Sequence, residues 1–148
     1  TYHEFGSQLY RFYKKVYLSD NVYLKRNSII GCANSNAHLS IGENTTIGFN
    51  TIIVSSMKIE IGANCMIAPN VYITDSNHGI KNNNNYNAQE NMLSEVKIGD
   101  NVWLGAGVIV LAGVVIDDNV IVGAGAVVTK SIYGGGIYCG NPARKIRN

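Results

Sequence analysis

The sequence predicts an all-β solenoid of the parallel β-helix class, and two observations from residues 98–132 support this. Every sixth residue there is aliphatic: Ile98, Leu104, Val110, Ile116, Val122 and Val128. Four positions after each of these comes a second small or branched residue: Val102, Val108, Val114, Val120, Ala126 and Ile132. An α-helix would repeat its apolar stripe at about 3.6 residues, so an unbroken period of six favours short strands joined by corners.

The residues between the strands are suited to corners. Triplets such as 99–101 and 105–107 contain the glycine, aspartate and asparagine that tolerate tight backbone turns. Residues 20–74 continue the repeat less regularly, with eleven positions from Ile30 to Ile41 and eight from Ile53 to Ile61. We interpret these breaks as looser corners of irregular coils, which gives about five coils in all.

Two stretches depart from the repeat. Phe5, Leu9, Phe12 and Val16 recur every three to four residues, which predicts a short amphipathic helix that caps the solenoid. Residues 75–95 lack apolar periodicity and include an asparagine-rich run at 82–87, which predicts an inserted loop.

Composition excludes several classes of function. The net charge is +2 and the basic residues cluster at the two ends without a basic stripe, so nucleic-acid binding is not expected. Three cysteines without paired spacing favour neither a disulfide scaffold nor a zinc site and fit a reducing cytoplasm. No apolar run has the length of a membrane span, and any membrane contact is expected to be peripheral. The chain begins at Thr1, which leaves open whether residues precede it.

Five motifs occur in a specific order between residues 66 and 144. They are M-I-A-P-N-V at 66–71, D-S-N-H-G at 75–79, I-G-D-N-V-W-L-G-A-G at 98–107, V-G-A-G-A-V-V-T-K at 122–130 and G-N-P-A-R at 140–144. Together they resemble the hexapeptide-repeat acyltransferases, and in particular the galactoside, maltose and polysaccharide O-acetyltransferase branch. The resemblance covers roughly residues 40–148.

The resemblance implies a left-handed β-helix with three hexads per turn and a homotrimer that binds acetyl-coenzyme A between subunits. The repeat pattern and the resemblance together divide a single 1–148 domain into five segments. The expected segments are a helical cap at 1–19, irregular coils at 20–74, an active-site loop at 75–97, regular coils at 98–132 and a coenzyme-A-contacting tail at 133–148.

His78 is the candidate catalytic base. Acetyl transfer from a thioester to a hydroxyl needs a group that removes the hydroxyl proton, and an imidazole titrates near neutral pH. The matching histidine of the family has this role. Asp75 and Asn77 are candidates for orienting His78 or binding the acceptor, and Asn50 is a further acceptor candidate; loop turns made by their own side chains are the alternative for Asp75 and Asn77.

The family's positions for coenzyme A map onto residues in the later motifs. Backbone N–H groups at Gly105 and Ala106 are the expected oxyanion donors. The coenzyme A contacts implied by the resemblance are Trp103, Gly105, Ala106, Ala124, Thr129, Lys130, Arg144 and Arg147. The cations among them suit the nucleotide phosphates.

These observations predict an O-acetyltransferase that moves acetyl from acetyl-coenzyme A to a sugar hydroxyl by direct attack, without a metal. The acceptor-binding N-terminal region of galactoside enzymes has no counterpart in residues 1–30, which favours a surface polysaccharide or its precursor as acceptor. The alternatives are N-acetylation of an amino sugar or small amine, a zinc hydratase of the γ-class carbonic anhydrase type, and a non-catalytic binding solenoid. The hydratase needs three convergent histidines.

Overall fold

The computed structural model describes residues 1–81 and 85–148, with the side chains of all of these except residues 10 and 11. Within this part, regular structure consists of β-strands and two 3-10 turns, Tyr13–Lys15 and Tyr86–Ala88. The strands in chain order are β1 (Tyr2–His3), β2 (Gln8–Arg11), β3 (Val16–Leu18), β4 (Tyr23–Leu24), β5 (Ile29–Cys32), β6 (His38–Ile41), β7 (Thr46–Ile47), β8 (Ile52–Ser55), β9 (Lys58–Ile61), β10 (Met66–Ile67), β11 (Tyr72–Thr74), β12 (Ser76–His78), β13 (Asn91–Leu93), β14 (Val96–Ile98), β15 (Trp103–Leu104), β16 (Ile109–Val110), β17 (Val115–Ile116), β18 (Val120–Val122), β19 (Val127–Val128), β20 (Gly136–Cys139) and β21 (Arg144–Arg147).

Successive strands enter three different sheets, so that each turn of the chain contributes one strand to each face of a prism. The first sheet has the order β1-β4-β7-β10-β15-β18-β20-β21, the second β2-β5-β8-β11-β16-β19 and the third β3-β6-β9-β14-β17. Among the described residues of these three sheets, pairing is parallel except between β20 and β21. The fold is a left-handed parallel β-helix of about six turns, one more than the sequence predicted.

The aliphatic repeat forms a continuous core, as predicted. The six residues of the first series are 0–1% exposed, and five of the six in the second series are equally buried, with Ile132 at 4%. Within each sheet these side chains stack in register; Ile53, for example, pairs with Ile30 below and Ile73 above. Each coil therefore buries the apolar face of the next.

Asparagines form many of the corners. Eight of them have φ between 53° and 60°, the left-handed region that asparagine tolerates better than branched residues. Their side chains also link coils, because the Asn101 amide donates to Asn119 at 2.8 Å and the Asn44 amide donates to Asn64 at 3.3 Å. The amides that permit the turn thus also hold neighbouring turns together.

The predicted N-terminal helix is wrong. Residues 1–18 form a further coil from β1, β2 and β3, with only the 3-10 turn Tyr13–Lys15 between the last two. Their backbone amides pair with the next coil, as in Tyr2 N–H to Val22 O at 2.8 Å and Gln8 N–H to Ser28 O at 2.8 Å. A short isolated helix is only marginally stable, and the open strand edges of the second coil offer more partners. In the described part of the chain, no helix is long and apolar enough to span a membrane.

The irregular corners all lie along one edge of the prism. The breaks after Ile30 and Ile53 fall between β5 and β6 and between β8 and β9, where the chain passes from the second sheet to the third. The inserted residues 75–95 leave the solenoid at the same edge, after β11. Part of the predicted asparagine-rich run, residues 82–84, lies outside the described residues.

Replacement of Ile53 by alanine should lower the free energy of unfolding by about 2–5 kcal/mol, because it leaves a cavity between two stacked isoleucines. Chemical denaturation measures this. The matched control is Ile52→Ala, since Ile52 lies on the outer face of the same strand. Equal losses in the two variants would contradict the assignment of the core column.

Candidate active site

The candidate site is built on a hairpin that projects from the solenoid between β11 and β14. Its strands β12 and β13 pair antiparallel, with His78 directly opposite Asn91 and Asn77 opposite Met92. Directly opposite residues in an antiparallel pair share a face, and neighbours along a strand alternate between faces. The imidazole of His78 and the amide of Asn91 therefore lie on the same side of the hairpin.

The base of this hairpin is fixed by Asp75, which is fully buried. Its Oδ2 accepts hydrogen bonds from Ser55 Oγ at 2.7 Å and Met57 N–H at 2.8 Å, and its Oδ1 accepts one from Ser56 N–H at 2.7 Å. Its carbonyl accepts a further bond from Ser94 N–H at 2.9 Å. Asp75 therefore binds the hairpin to the coil below. Its carboxylate is thus engaged within the solenoid, whereas the sequence analysis considered it for orienting His78 or binding the acceptor.

His78 opens onto a cavity of about 240 Å³ between the hairpin and the outer face of the second sheet. The cavity is lined by Tyr72, Thr74, Ser76, Asn77, His78, Asn91 and Leu111. The imidazole is exposed, and no residue that the structure describes hydrogen-bonds to either ring nitrogen. A ring nitrogen is thus free to accept a proton from a molecule in the cavity.

The expected oxyanion donors, Gly105 and Ala106, lie in a corner between the first and second sheets. Gly105 N–H is already occupied by Val122 O at 2.8 Å. No described residue accepts a hydrogen bond from the N–H of Ala106, which is exposed. Of the two amides named from the sequence, Ala106 is therefore the one available to a ligand. Gly105 is glycine for a packing reason, since a Cβ there would lie 2.6 Å from the backbone nitrogen of Ala124.

Trp103 and Ala124 lie close in the fold to these corners. Trp103 is on the outer face of β15, 48% exposed, and borders a shallow cavity of about 300 Å³ with Met66 and Ile121. Ala124 is exposed in the coil above Ala106, and its N–H likewise has no acceptor among the described residues. Two stacked corners thus present free amides beside an exposed indole.

The C-terminal strands bring predicted phosphate-binding residues together. Lys130 and Arg144 line one cavity of about 370 Å³, along with Lys145, which the sequence analysis had not selected. Thr129 is exposed next to Lys130. Arg147 lies on β21 but outside the lining of this cavity.

A single chain does not unite these parts in one cavity. His78, Trp103 and the pair Lys130 and Arg144 line three separate cavities. Asn50 lies in a corner two coils below Ala106, where its Oδ1 accepts a hydrogen bond from Asn27 at 3.3 Å. Within the described part of one chain, the candidate site residues therefore lie in separate places.

Family comparisons agree with this architecture. A model described as bacterial transferase hexapeptide (six repeats) matches residues 95–130, and one described as hexapeptide repeat of succinyl-transferase matches residues 38–75. These segments include both irregular and regular coils. This chain belongs to the hexapeptide-repeat acyltransferase family.

Relatives of this hexapeptide-repeat protein include proteins named as sugar O-acetyltransferases. The galactoside O-acetyltransferase of Escherichia coli K12 is 40% identical over 114 residues, covering 76% of this chain and 54% of the relative. A maltose O-acetyltransferase structure from Clostridium difficile 630 is 40% identical with a TM-score of 0.69, covering 90% of this chain and 66% of that one. A galactoside acetyltransferase in complex with coenzyme A is 34% identical with a TM-score of 0.71, covering 89% and 63%. The chain spans a little over half the length of the curated relatives it matches.

Two residues of this hexapeptide-repeat site were not found from the sequence. Asn91 faces His78 only because of the hairpin register, and thirteen residues separate them along the chain. Tyr72 was not selected because it occupies an outward position of an ordinary hexad. An aromatic side chain at an outward strand position was nevertheless a usable signal. Hairpin register and cavity lining both depend on tertiary structure.

Among the described residues, no three histidine, cysteine or acidic side chains converge as a metal-binding group. Burial raises the pKa of the Cys32 and Cys65 thiols, and the nearby Asp75 carboxylate raises that of Cys32 further. Both thiols are therefore kept in the protonated, unreactive form.

Replacement of Asp75 by asparagine should lower the free energy of unfolding by about 2 kcal/mol, because an amide cannot accept all three hydrogen bonds. Amide hydrogen exchange at Ser56 and Met57 should accelerate as well. Asp20→Asn serves as the control, since Asp20 is exposed. If the Asp75 variant matches this control in both stability and amide exchange, Asp75 does not anchor the hairpin to the solenoid.

Proposed function

We propose that the protein is an O-acetyltransferase that moves acetyl from acetyl-coenzyme A to a sugar hydroxyl, with His78 as general base. The observation that carries this proposal is the exposed imidazole of His78, with both nitrogens free of described partners, on a hairpin that Asp75 anchors to the solenoid. Family membership and the similarity to a galactoside acetyltransferase with bound coenzyme A support the donor.

The reaction proceeds by direct transfer. A ring nitrogen of His78 takes the acceptor's hydroxyl proton as the oxygen attacks the thioester carbonyl. Ala106 N–H stabilises the oxyanion of the tetrahedral intermediate. When the intermediate collapses, the carbon–sulfur bond breaks and the His78 imidazolium returns its proton to the departing thiolate. Cys139 is not required as a nucleophile, and its sulfur packs against Gly123.

Acetyl-coenzyme A binds along the upper coils. Trp103 contacts the pantetheine arm, which runs past Ala106, and Ala124 N–H donates a hydrogen bond to an amide carbonyl of that arm. The nucleotide phosphates are bound by Lys130, Arg144, Arg147 and the newly recognised Lys145, with Thr129 beside them. The shared cavity of Lys130, Arg144 and Lys145 supports this assignment, because a phosphate there would meet three cations.

The functional unit is a homotrimer with active sites between subunits. The separate positions of His78 and the donor-binding residues support this, since a second copy can bring its His78 to the thioester held at the first copy's Ala106. The outer face of the first sheet also carries exposed apolar side chains in register, including Met66 and Trp103, that a neighbour would cover. Three free cysteines support a cytoplasmic location.

The acceptor is a sugar unit of a surface polysaccharide or its precursor. Of the acceptor candidates named from the sequence, Asn77 lines the His78 cavity. Asn50 lies on a lower coil and would reach an acceptor only from a neighbouring subunit, whereas Asp75 supports the hairpin.

His78→Ala should reduce kcat/KM for thiol release from acetyl-coenzyme A by about 10²–10⁴-fold with a hydroxyl acceptor. His38→Ala is the matched control, because His38 stacks on Tyr17 in the third sheet, away from the cavity. Cys139→Ala should retain activity. If the His78 variant is as active as wild type, His78 is not the base. If Cys139→Ala loses activity but still binds coenzyme A, the result favours a covalent route.

Arg144→Ala should raise the KM for acetyl-coenzyme A by about tenfold or more, as expected for the loss of a charge-assisted hydrogen bond to phosphate. The KM for acetyl-pantetheine, which lacks the nucleotide, should not change. Lys97→Ala provides a control on the exposed face of the third sheet. An equal effect on both donors would place Arg144 outside the nucleotide site.

A further inference from the structure

The lower end of the core is uncovered in the described part of the chain. The three strands of the first coil (residues 1–18), β1, β2 and β3, are each the edge strand of their sheet. Leu9 occupies the inward position below Ile30 and is 39% exposed, whereas Ile30 is fully buried. Val16 and Leu18, which pair with inward residues of β6, are only partly buried. The first coil therefore presents the apolar inside of the solenoid at this end.

Two corners of the same coil carry projecting aromatic side chains. Phe5 lies between β1 and β2 and is 94% exposed, so nearly all of its ring is in solvent. Phe12 and Tyr13 lie between β2 and β3 and are also exposed. Rings that project in this way can enter a fluid surface without a matching pocket, and aromatic side chains favour the boundary between lipid headgroups and acyl chains.

The first coil also carries uncompensated positive charge. Lys14 and Lys15 are exposed, and no carboxylate in the described part of the chain forms an ion pair with either. Glu4 is the one acidic residue of the coil, and Lys25 Nζ lies 2.9 Å from its carboxylate. A surface that binds this coil must therefore supply negative charge of its own.

From the uncovered core end, the projecting rings and the two lysines, we propose that the first coil is a docking surface for a membrane that contains anionic phospholipid. The rings enter the headgroup region while the lysines meet lipid phosphates, and the two contributions add. The open edges of β1, β2 and β3 limit the depth, because unpaired backbone groups are costly in hydrocarbon but can hydrogen-bond to headgroups and water. A second copy of the coil is a poorer occupant, since its own lysines would face the first pair.

Docking sets the height of the candidate active site above the membrane. β11, from which the His78 hairpin extends, lies three strands above β2 in the second sheet, a rise of about 14 Å at the usual strand spacing. On the basis of the function proposed above, the acceptor is then a sugar linked to a lipid of the same membrane. The docking itself does not depend on acetyltransferase activity.

Cosedimentation of the full chain with vesicles tests the proposal. Vesicles of phosphatidylcholine alone are compared with an equal mixture of phosphatidylcholine and phosphatidylglycerol. The chain should bind the mixed vesicles at least about tenfold more tightly, and this binding should weaken as the salt concentration rises. Equal binding to both kinds of vesicle, or binding to neither, overturns the proposal.

Phe5→Ala tests the contribution of the rings, because the side chain that it removes makes almost no contact with the core. It should weaken binding to the mixed vesicles about fivefold or more. Tyr133→Ala is the control, since Tyr133 is an exposed aromatic residue near the other end of the solenoid, and its binding should equal that of wild type. Equal binding by the two variants contradicts the role of Phe5. A larger assembly of wild type without vesicles that Phe5→Ala abolishes shows that a second copy covers this end, and overturns the membrane proposal.

Replacement of Lys14 and Lys15 by glutamate tests the charge. It should weaken binding to the mixed vesicles at least about tenfold. The matched control replaces Lys81 and Lys97 by glutamate, because both are exposed lysines outside the first coil and the change in net charge is the same. An equal loss in the two double variants shows that binding follows net charge alone and overturns the assignment of the first coil.

Turnover separates this proposal from the acetyltransferase proposal. Without vesicles and with a soluble sugar, Phe5→Ala and the Lys14 and Lys15 double variant should release thiol from acetyl-coenzyme A at the wild-type rate. Wild-type chain that binds the mixed vesicles but releases no thiol with any acceptor contradicts the acetyltransferase proposal alone. Thiol release by a chain that does not bind the mixed vesicles contradicts the docking proposal alone.

Discussion

The stacking of coils in strict register is the constraint on which the rest of the structure depends. Each coil satisfies its backbone hydrogen bonds only through the coils above and below, and its inward side chains complete the core only when those neighbours align. Pairs such as Leu104 with Val122 show how closely the hexad period is kept. This requirement leaves two places for functional groups, the outward strand positions and the corners.

Both places are used. Outward positions hold Tyr72 and Trp103. Corners hold Ala106 and Ala124, whose N–H groups have no hydrogen-bond acceptor among the described residues. A long insertion is tolerated only where it leaves the register intact. The hairpin meets this condition through the buried carboxylate of Asp75, which substitutes for the backbone contacts that a direct corner would have made. The catalytic candidate His78 is thus three residues from this anchor.

The sequence was sufficient for the parts that depend on local periodicity. The core columns from Ile98 to Val128 and the irregular corners after Ile30 and Ile53 could be predicted because each inward position repeats a simple chemical type. The first coil could not, since the spacing of Leu9 and Val16 fits a helix as well as two strands, and only pairing with the next coil decides between them. Likewise, the burial of Asp75 and the pairing of His78 with Asn91 follow from tertiary contacts that no spacing encodes.

A crystal structure of the protein with coenzyme A tests the central claim most directly. We expect the nucleotide phosphates at Lys130 and Arg144, the pantetheine arm along Ala106 and Ala124, and the thiol within reach of His78 of the partner subunit. Coenzyme A bound with its phosphates away from these cations, or with its sulfur remote from every His78 in the assembly, would contradict it.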